Sequence, residues 1–518
     1  MSLEAFLHNL HFDTGKIRPL DWKVDWDDAP LPYKLYRGLP VFPFSPEVPL
    51  TLEERKAPAK PGLREIGHFL WYVYGLTQLC QSIYSLDSTL FRRFVPSGGG
   101  LYPNELYVYL KMEDLPAGMY HYDVAHHRLV LLREGLFDSY LVQALGNRCD
   151  VSACFGTVFV STMFWKNFFK YNNFAYRLQG LDAGVLIGQL LEVSKRFGFS
   201  SGVYFQFLDR AVNHLIGLSE QEESVYAVIP LSVEPEITWF DNGNKRDGNV
   251  SASELCRELT EIQHQHHVRS QRVMEYPMLI KMNEESMLET TRTFREMEKE
   301  KIVHSEEQAV ALPDVNRLSY DLTSVSRKRY SPGMDFILRK INQLQLAALL
   351  QEATASFSYR NDLDGDNVNS ESRVSLNACL YGIEGIPDGA YQYDSAAHAL
   401  RLIRLGDHRF WLQQGMSMYD VNLFQVPICL HVEGYRDHFK TALGYRGYRI
   451  GQMEAGMLVQ RLLLAASAIG MGGHPLLGFD VRLCDEIYKM APQGKTTLIQ
   501  IPVGTYRPNP RLEGSLHG

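Results

Sequence analysis

The sequence predicts an α+β protein made of two tandem copies of one sandwich domain, and three observations carry that prediction. Pro116-Ala-Gly118-Met-Tyr120-His-Tyr122-Asp123 recurs as Pro387-Asp-Gly389-Ala-Tyr391-Gln-Tyr393-Asp394. The register then holds down the chain, with Tyr176-Arg177 against Tyr448-Arg449, Ala183-Gly184 against Ala455-Gly456 and Ile229-Pro230 against Ile501-Pro502. A period this long marks a duplicated domain, because solenoid and propeller repeats fall between about 20 and 50 residues. Helical and strand patterns also mix without strict βαβ alternation, which favours an α+β sandwich over a doubly wound sheet.

Each copy opens with an apolar helix, predicted over 66–79 and 344–355. A strand follows at 106–110, then the hairpin at the repeated Gly-x-Tyr-x-Tyr-Asp. A long apolar helix comes next, 181–197 in one copy and 453–469 in the other. Each ends at a glycine, Gly198 or Gly470, suited to a left-handed cap. Strands at 225–231 and 497–503 close the copies. The expected boundaries are 1–236 for the first copy, 237–312 for a charged helical linker and 313–518 for the second copy. Within the linker, 286–303 reads as a charged helix, and His264, His266 and His267 read as exposed side chains without metal-ligand spacing. Asp362-Leu-Asp364-Gly-Asp366 resembles a calcium loop only briefly. Asn367 and Arg373 stand where such a loop needs glycine and a bidentate glutamate, so no metal is expected.

Composition narrows the function classes. With 45% hydrophobic and 22% charged residues the 518-residue chain can build sizeable cores. A net charge of −8 and a pI near 6.1 offer no basic field for a nucleic acid. Seven scattered cysteines without a Cys-x-x-Cys pair argue for a reducing compartment. No stretch reaches the length of a membrane span, and the N-terminus lacks the basic start and apolar run of a signal peptide. A cytoplasmic protein is expected, with neither a membrane nor a nucleic acid as partner.

Three segments carry chemistry. Pro96-Ser97-Gly98-Gly99-Gly100-Leu101-Tyr102-Pro103 runs into a strand, and its glycines let backbone N–H groups approach a flat or anionic ligand. Ser324-Val-Ser326-Arg327-Lys328-Arg329 gathers donors for a phosphate dianion within one turn, and Arg507 is an additional cation beyond the last strand. Lys170-Tyr171 follows an aromatic run, Phe164 to Phe169, that would otherwise read as core.

The Pro-Ser-x-Gly-x-Leu-Tyr-Pro string resembles that of SagB-type dehydrogenases in the nitroreductase-like flavoprotein superfamily. So do Leu20-Asp-Trp22, Pro32-Tyr33-Lys34, the repeated hairpin, the Lys170-to-Arg177 element and Gly470-Met-Gly472-Gly473-His474-Pro475. The resemblance implies FMN held at an interface between two such domains, here within one chain as a pseudo-dimer. It implies Pro96 to Leu101, Ser326 to Arg329, Gly472, Gly473, His474, Pro475 and Arg507 as cofactor contacts, and Lys170 and Tyr171 as catalytic. An ammonium beside the phenol would favour a phenolate base. Ser324 departs from the superfamily's arginine, and Ala442-Leu443 replaces the Lys-Tyr pair in the second copy, so one intact site is expected. Lys34 and Arg37 of the first copy are expected to matter little for phosphate. The implied activity is oxidation of azoline or similar groups in a peptide-derived substrate, alongside other biosynthetic enzymes. An NAD(P)H-dependent nitro or quinone reductase and a non-catalytic flavin- or peptide-binding module are the alternatives.

Overall fold

The computed structural model describes residues 1–518 apart from 55, 57, 59, 83–84, 235–238, 241–248, 298–308, 356–358, 366–371, 509–510 and 516–518. Two seven-stranded antiparallel sheets dominate it, and they have the same strand order. In the first copy the strands run Val41–Pro43, Arg128–Glu134, Gly118–Asp123, Asn104–Leu110, Gly156–Met163, Glu223–Ser232 and Ser200–Ser201 across the sheet. In the second they run Ala309–Ala311, Ala399–Leu405, Gly389–Asp394, Ser375–Leu380, Ile428–Tyr435, Lys495–Gly504 and Gly472–Gly473. The tandem α+β sandwich expected from the repeat is therefore the observed architecture.

The two copies meet through their long helices, Ala175–Phe197 and Arg446–Ala468, both almost wholly buried. Small residues permit the approach. A β-carbon on Gly184 would lie 2.0 Å from the carbonyl oxygen of Met453, and one on Gly456 would lie 2.2 Å from that of Leu181. Tyr176 stacks on Tyr448 with ring centroids 6.0 Å apart, and Gln460 donates to Gln189 at 2.8 Å. The helices start earlier than their apolar pattern predicts because Tyr176, Arg177, Tyr448 and Arg449 are buried at this seam. Both glycine caps are left-handed as expected, at φ 69° for Gly198 and 76° for Gly470.

Three expectations fail. The helix predicted over 66–79 spans Leu63–Tyr74, and the chain continues as a strand, Leu76–Ser82. That strand pairs with Ser85–Arg93 on one side and with Arg511–Ser515 on the other, so the end of the second copy completes a sheet on the first. The charged helix expected over 286–303 is not there over 286–297, where a single 3-10 turn, Thr291–Thr293, interrupts irregular chain; 298–303 lie outside the described residues. The described linker forms two short helices, Ala252–Glu258 and Pro277–Glu284. His264 and His266 are half-buried against Tyr36 rather than exposed. Among the described residues no group of metal-ligating side chains is assembled, and no helix is long and apolar enough to cross a membrane.

Candidate functional site

The triple-glycine segment folds as a tight turn whose geometry needs its glycines. Gly99 and Gly100 have φ of 68° and 70°, a region that β-carbons disfavour. Ser97 accepts from Tyr102 N at 2.9 Å and from Gly100 N, through its backbone carbonyl, at 3.0 Å, which closes the turn on itself. Asp182 of the first long helix accepts from Ser97 Oγ at 2.6 Å and from Gly98 N at 3.1 Å. Pro96 and Leu101 flank the turn half-buried, while Gly99 is exposed.

Lys170 and Tyr171 end the helix Trp165–Tyr171, and the fold brings them onto the turn. A β-carbon at Gly99 would lie 2.5 Å from Tyr171 Oη and 2.7 Å from Lys170 Nζ. Lys170 Nζ stands over two aromatic faces, 4.9 Å from the Tyr171 centroid and 5.3 Å from that of Trp26. Burial lowers the Lys170 pKa from its usual range. Burial also pushes Tyr171 up to about 12, aided by the carboxylates of Asp182 and of Asp420 from the second copy and opposed by Arg18. The expected phenolate is thus corrected: the ammonium sits over the ring rather than beside the phenol oxygen, and desolvation keeps the phenol protonated.

The second copy assembles the other predicted segments. Ser326, Arg327 and Lys328 close the helix Leu322–Lys328, which Asp321 caps by accepting from Ser324 N at 2.8 Å. Asp321 also accepts from Leu52 N of the first copy at 2.6 Å, and Arg92 of the first copy donates to the carbonyl of Arg329. Gly473 N donates to Tyr330 O at 3.3 Å and His474 Nδ1 to Pro332 O at 2.8 Å. A β-carbon on Gly472 would overlap Pro332. Pro475 follows half-buried. Arg507 is exposed, and its N–H donates to Asp335 O at 2.9 Å. Segments 326–335, 472–475 and 507 therefore share one locality. Asp420 links it to the first copy's half, since its carbonyl lies 2.8 Å from a β-carbon placed on Gly333 while its carboxylate acts on Tyr171. Trp26, Arg92, Asp182 and Asp420 escaped the sequence reading, and only Asp182, an acid within an apolar helix, carried a local signal.

In the second copy, Asp362 is held by first-copy groups. Asp362 accepts from Phe205 N at 2.8 Å, Gln206 N at 3.0 Å and Arg148 at 2.9 Å, so the start of the calcium-like loop is packed into the first copy. The linker closes over it, with Met297 N donating to Leu363 O at 2.8 Å.

Comparison with known proteins follows from this geometry. The fold is that of the nitroreductases, in tandem. A protein of Anabaena variabilis assigned to the nitroreductases superposes over 98% of this chain and 99% of its own, with a TM-score of 0.72 at 21% identity. The Trifolitoxin-processing protein TfxB of Rhizobium leguminosarum bv. trifolii is 30% identical over 142 residues, 26% of this chain, and the match spans 37% of that relative's length. The E. coli microcin synthetase McbBCD complex with truncated pro-MccB17 aligns over 38% of this chain and 68% of its own, with a TM-score of 0.29 at 20% identity. No family model matches the chain.

Proposed function

We propose that the chain is an FMN-dependent oxidoreductase that dehydrogenates azoline or similar rings in a peptide-derived substrate, at one site between its two copies. The observation that carries the reading is the seating of Lys170 and Tyr171 directly on the exposed Gly99 turn. Two features support FMN. Ser326 Oγ is buried without a hydrogen-bond partner among the described residues, at the head of Arg327, Lys328 and Arg329, a donor set suited to a phosphate dianion. The 98–100 turn offers backbone and no side chain, as a flat ring requires. Gly472, Gly473, His474 and Pro475 would line the same cofactor, and exposed Arg507 would extend the cationic side.

Bound FMN supplies a two-electron acceptor for hydride. The chain's own residues manage the proton. Lys170, with its pKa lowered, is the base; Tyr171, protonated, donates a hydrogen bond to the ring heteroatom or its carbonyl. The peptide-processing name of the Rhizobium relative supports a peptide substrate and companion biosynthetic enzymes. The test is anaerobic mixing of the FMN-loaded chain with an azoline-containing peptide. Bleaching of the flavin with loss of two hydrogens from the peptide is expected. Reduction by NAD(P)H alone, with quinone or nitroarene turnover and no response to peptide, would replace this reading with that of a reductase, and a chain that takes flavin but turns over neither would be a binding module.

A further inference from the structure

The acid behind the glycine turn is an odd choice for a buried helix. Asp182 lies on a stretch of Ala175–Phe197 otherwise lined by small and apolar residues, and it is buried. Among the described residues its carboxylate meets neutral donors, Ser97 Oγ and Gly98 N, and Ser97 in turn receives Tyr102 N. One carboxylate therefore fixes both ends of the turn that faces Tyr171 and Lys170. Tyr74, from the helix Leu63–Tyr74, and Tyr171 are the titratable groups facing it from neighbouring elements, and its charge helps hold both phenols up.

The second copy gives the contrast. Glu454 occupies the same register of the repeat, and Arg373 stands in the place of Tyr102. Arg373 Nε donates to Glu454 at 3.0 Å, its NH1 reaches Asp364 at 2.5 Å, and Tyr359 Oη donates to Glu454 at 2.7 Å. There the helix carboxylate is neutralised by a cation. In the first copy the carboxylate has no such arginine at that position, and the turn stays open.

We propose that Asp182 is a positioning residue, holding the 97–100 turn in its ligand-binding shape at a cost to the stability of the fold, and releasing it on protonation. The proposal rests on the flavin reading above. Burial raises the Asp182 carboxyl to about 6, against the pull of Ser97 and Gly98. A folded-state value above the unfolded carboxylate's means that the folded chain binds more protons between the two, so this group's contribution to stability falls as pH rises from about 4 to about 6 and stays reduced above. A neutral residue escapes that loss.

The experiment titrates the full chain and its Asp182→Asn variant with FMN at pH 5 and pH 8, and records Tm for both at each pH. The ratio of variant to parent Kd cancels ionisation of the ligand's own phosphate. It should be roughly 10- to 100-fold at pH 8, the loss of a hydrogen bond to a charged group, and approach parity at pH 5. The Tm of the variant relative to the parent should be higher at pH 8 than at pH 5. A structural hydrogen bond alone would lower Tm at both. Equal Kd values at pH 8, or a Tm difference indifferent to pH, would overturn the proposal while leaving the flavin reading intact. A parent chain that takes no FMN at either pH would overturn both.

Discussion

Replacing Tyr171 by phenylalanine should leave FMN bound and slow oxidation of an azoline peptide by roughly 100- to 10,000-fold, the usual worth of a positioned proton-handling group. The expectation follows from placement. Tyr171 Oη lies where the exposed Gly99 backbone leaves room, and its neighbours keep it protonated with a pKa of about 12. It therefore acts as a donor throughout the neutral range, and its ionisation contributes no rise in rate between pH 6 and 9. The acidic limb belongs to Lys170, whose lowered pKa makes the neutral amine accessible. Rate should climb with pH as Lys170 loses its proton, and Lys170→Ala should abolish that limb. Flavin content and turnover measured on one preparation separate lost chemistry from lost cofactor. A flavin-replete Tyr171→Phe chain oxidising the peptide at the parental rate would remove Tyr171 from the mechanism.

The second large effect is on stability. Lys34→Met should destabilise the fold by about 3–5 kcal/mol, because it strands a buried carboxylate. Lys34 Nζ lies 2.7 Å from Glu223 and 3.1 Å from Tyr107 Oη, and Glu223 also accepts from Tyr107 and Ser161, all buried. Burial disfavours the ammonium, but Glu223 and Tyr36 outweigh it and raise the Lys34 pKa. A raised lysine pKa gives stability that is fully present below the unfolded value of about 10.4 and is lost only as pH rises through the folded one, so the lysine's own ionisation adds no pH dependence between pH 5 and 9. Urea unfolding checks both points, and a change under about 1 kcal/mol would show the pair to be energetically neutral. The sequence reading set Lys34 and Arg37 aside as phosphate contacts and assigned them no place in the fold. Arg37 reaches the linker, through His267 at 2.8 Å, and Lys34 is buried in the core.

What the sequence could and could not disclose follows from range. The repeat, the apolar periods and the glycine caps are local signals, and they gave the long helices, the strand at 106–110, the repeated hairpin and the closing strands at 225–231 and 497–503. One edge of the strand Leu76–Ser82 pairs locally with Ser85–Arg93, but its other edge pairs with Arg511–Ser515, at the far end of the chain, and no local pattern shows that pairing. Tyr176 and Arg177 fell outside the predicted helix because their burial depends on the second copy; Arg177 donates to Leu498 O at 2.6 Å. The candidate site divides the same way. Gly98 to Gly100 and Lys170-Tyr171 were legible as strings, yet that they touch is a tertiary fact. The phenolate was misjudged because adjacency in sequence places an ammonium near a ring without saying whether it meets the oxygen or the face.

We propose one working site between the two copies; in the second copy Arg373 pairs with Glu454 and Asp364, and Asp362 accepts from Phe205 N. Flavin released from the reconstituted, desalted chain and quantified against protein measures this directly. One equivalent of FMN per chain is the predicted result, while two equivalents, or none, would contradict it.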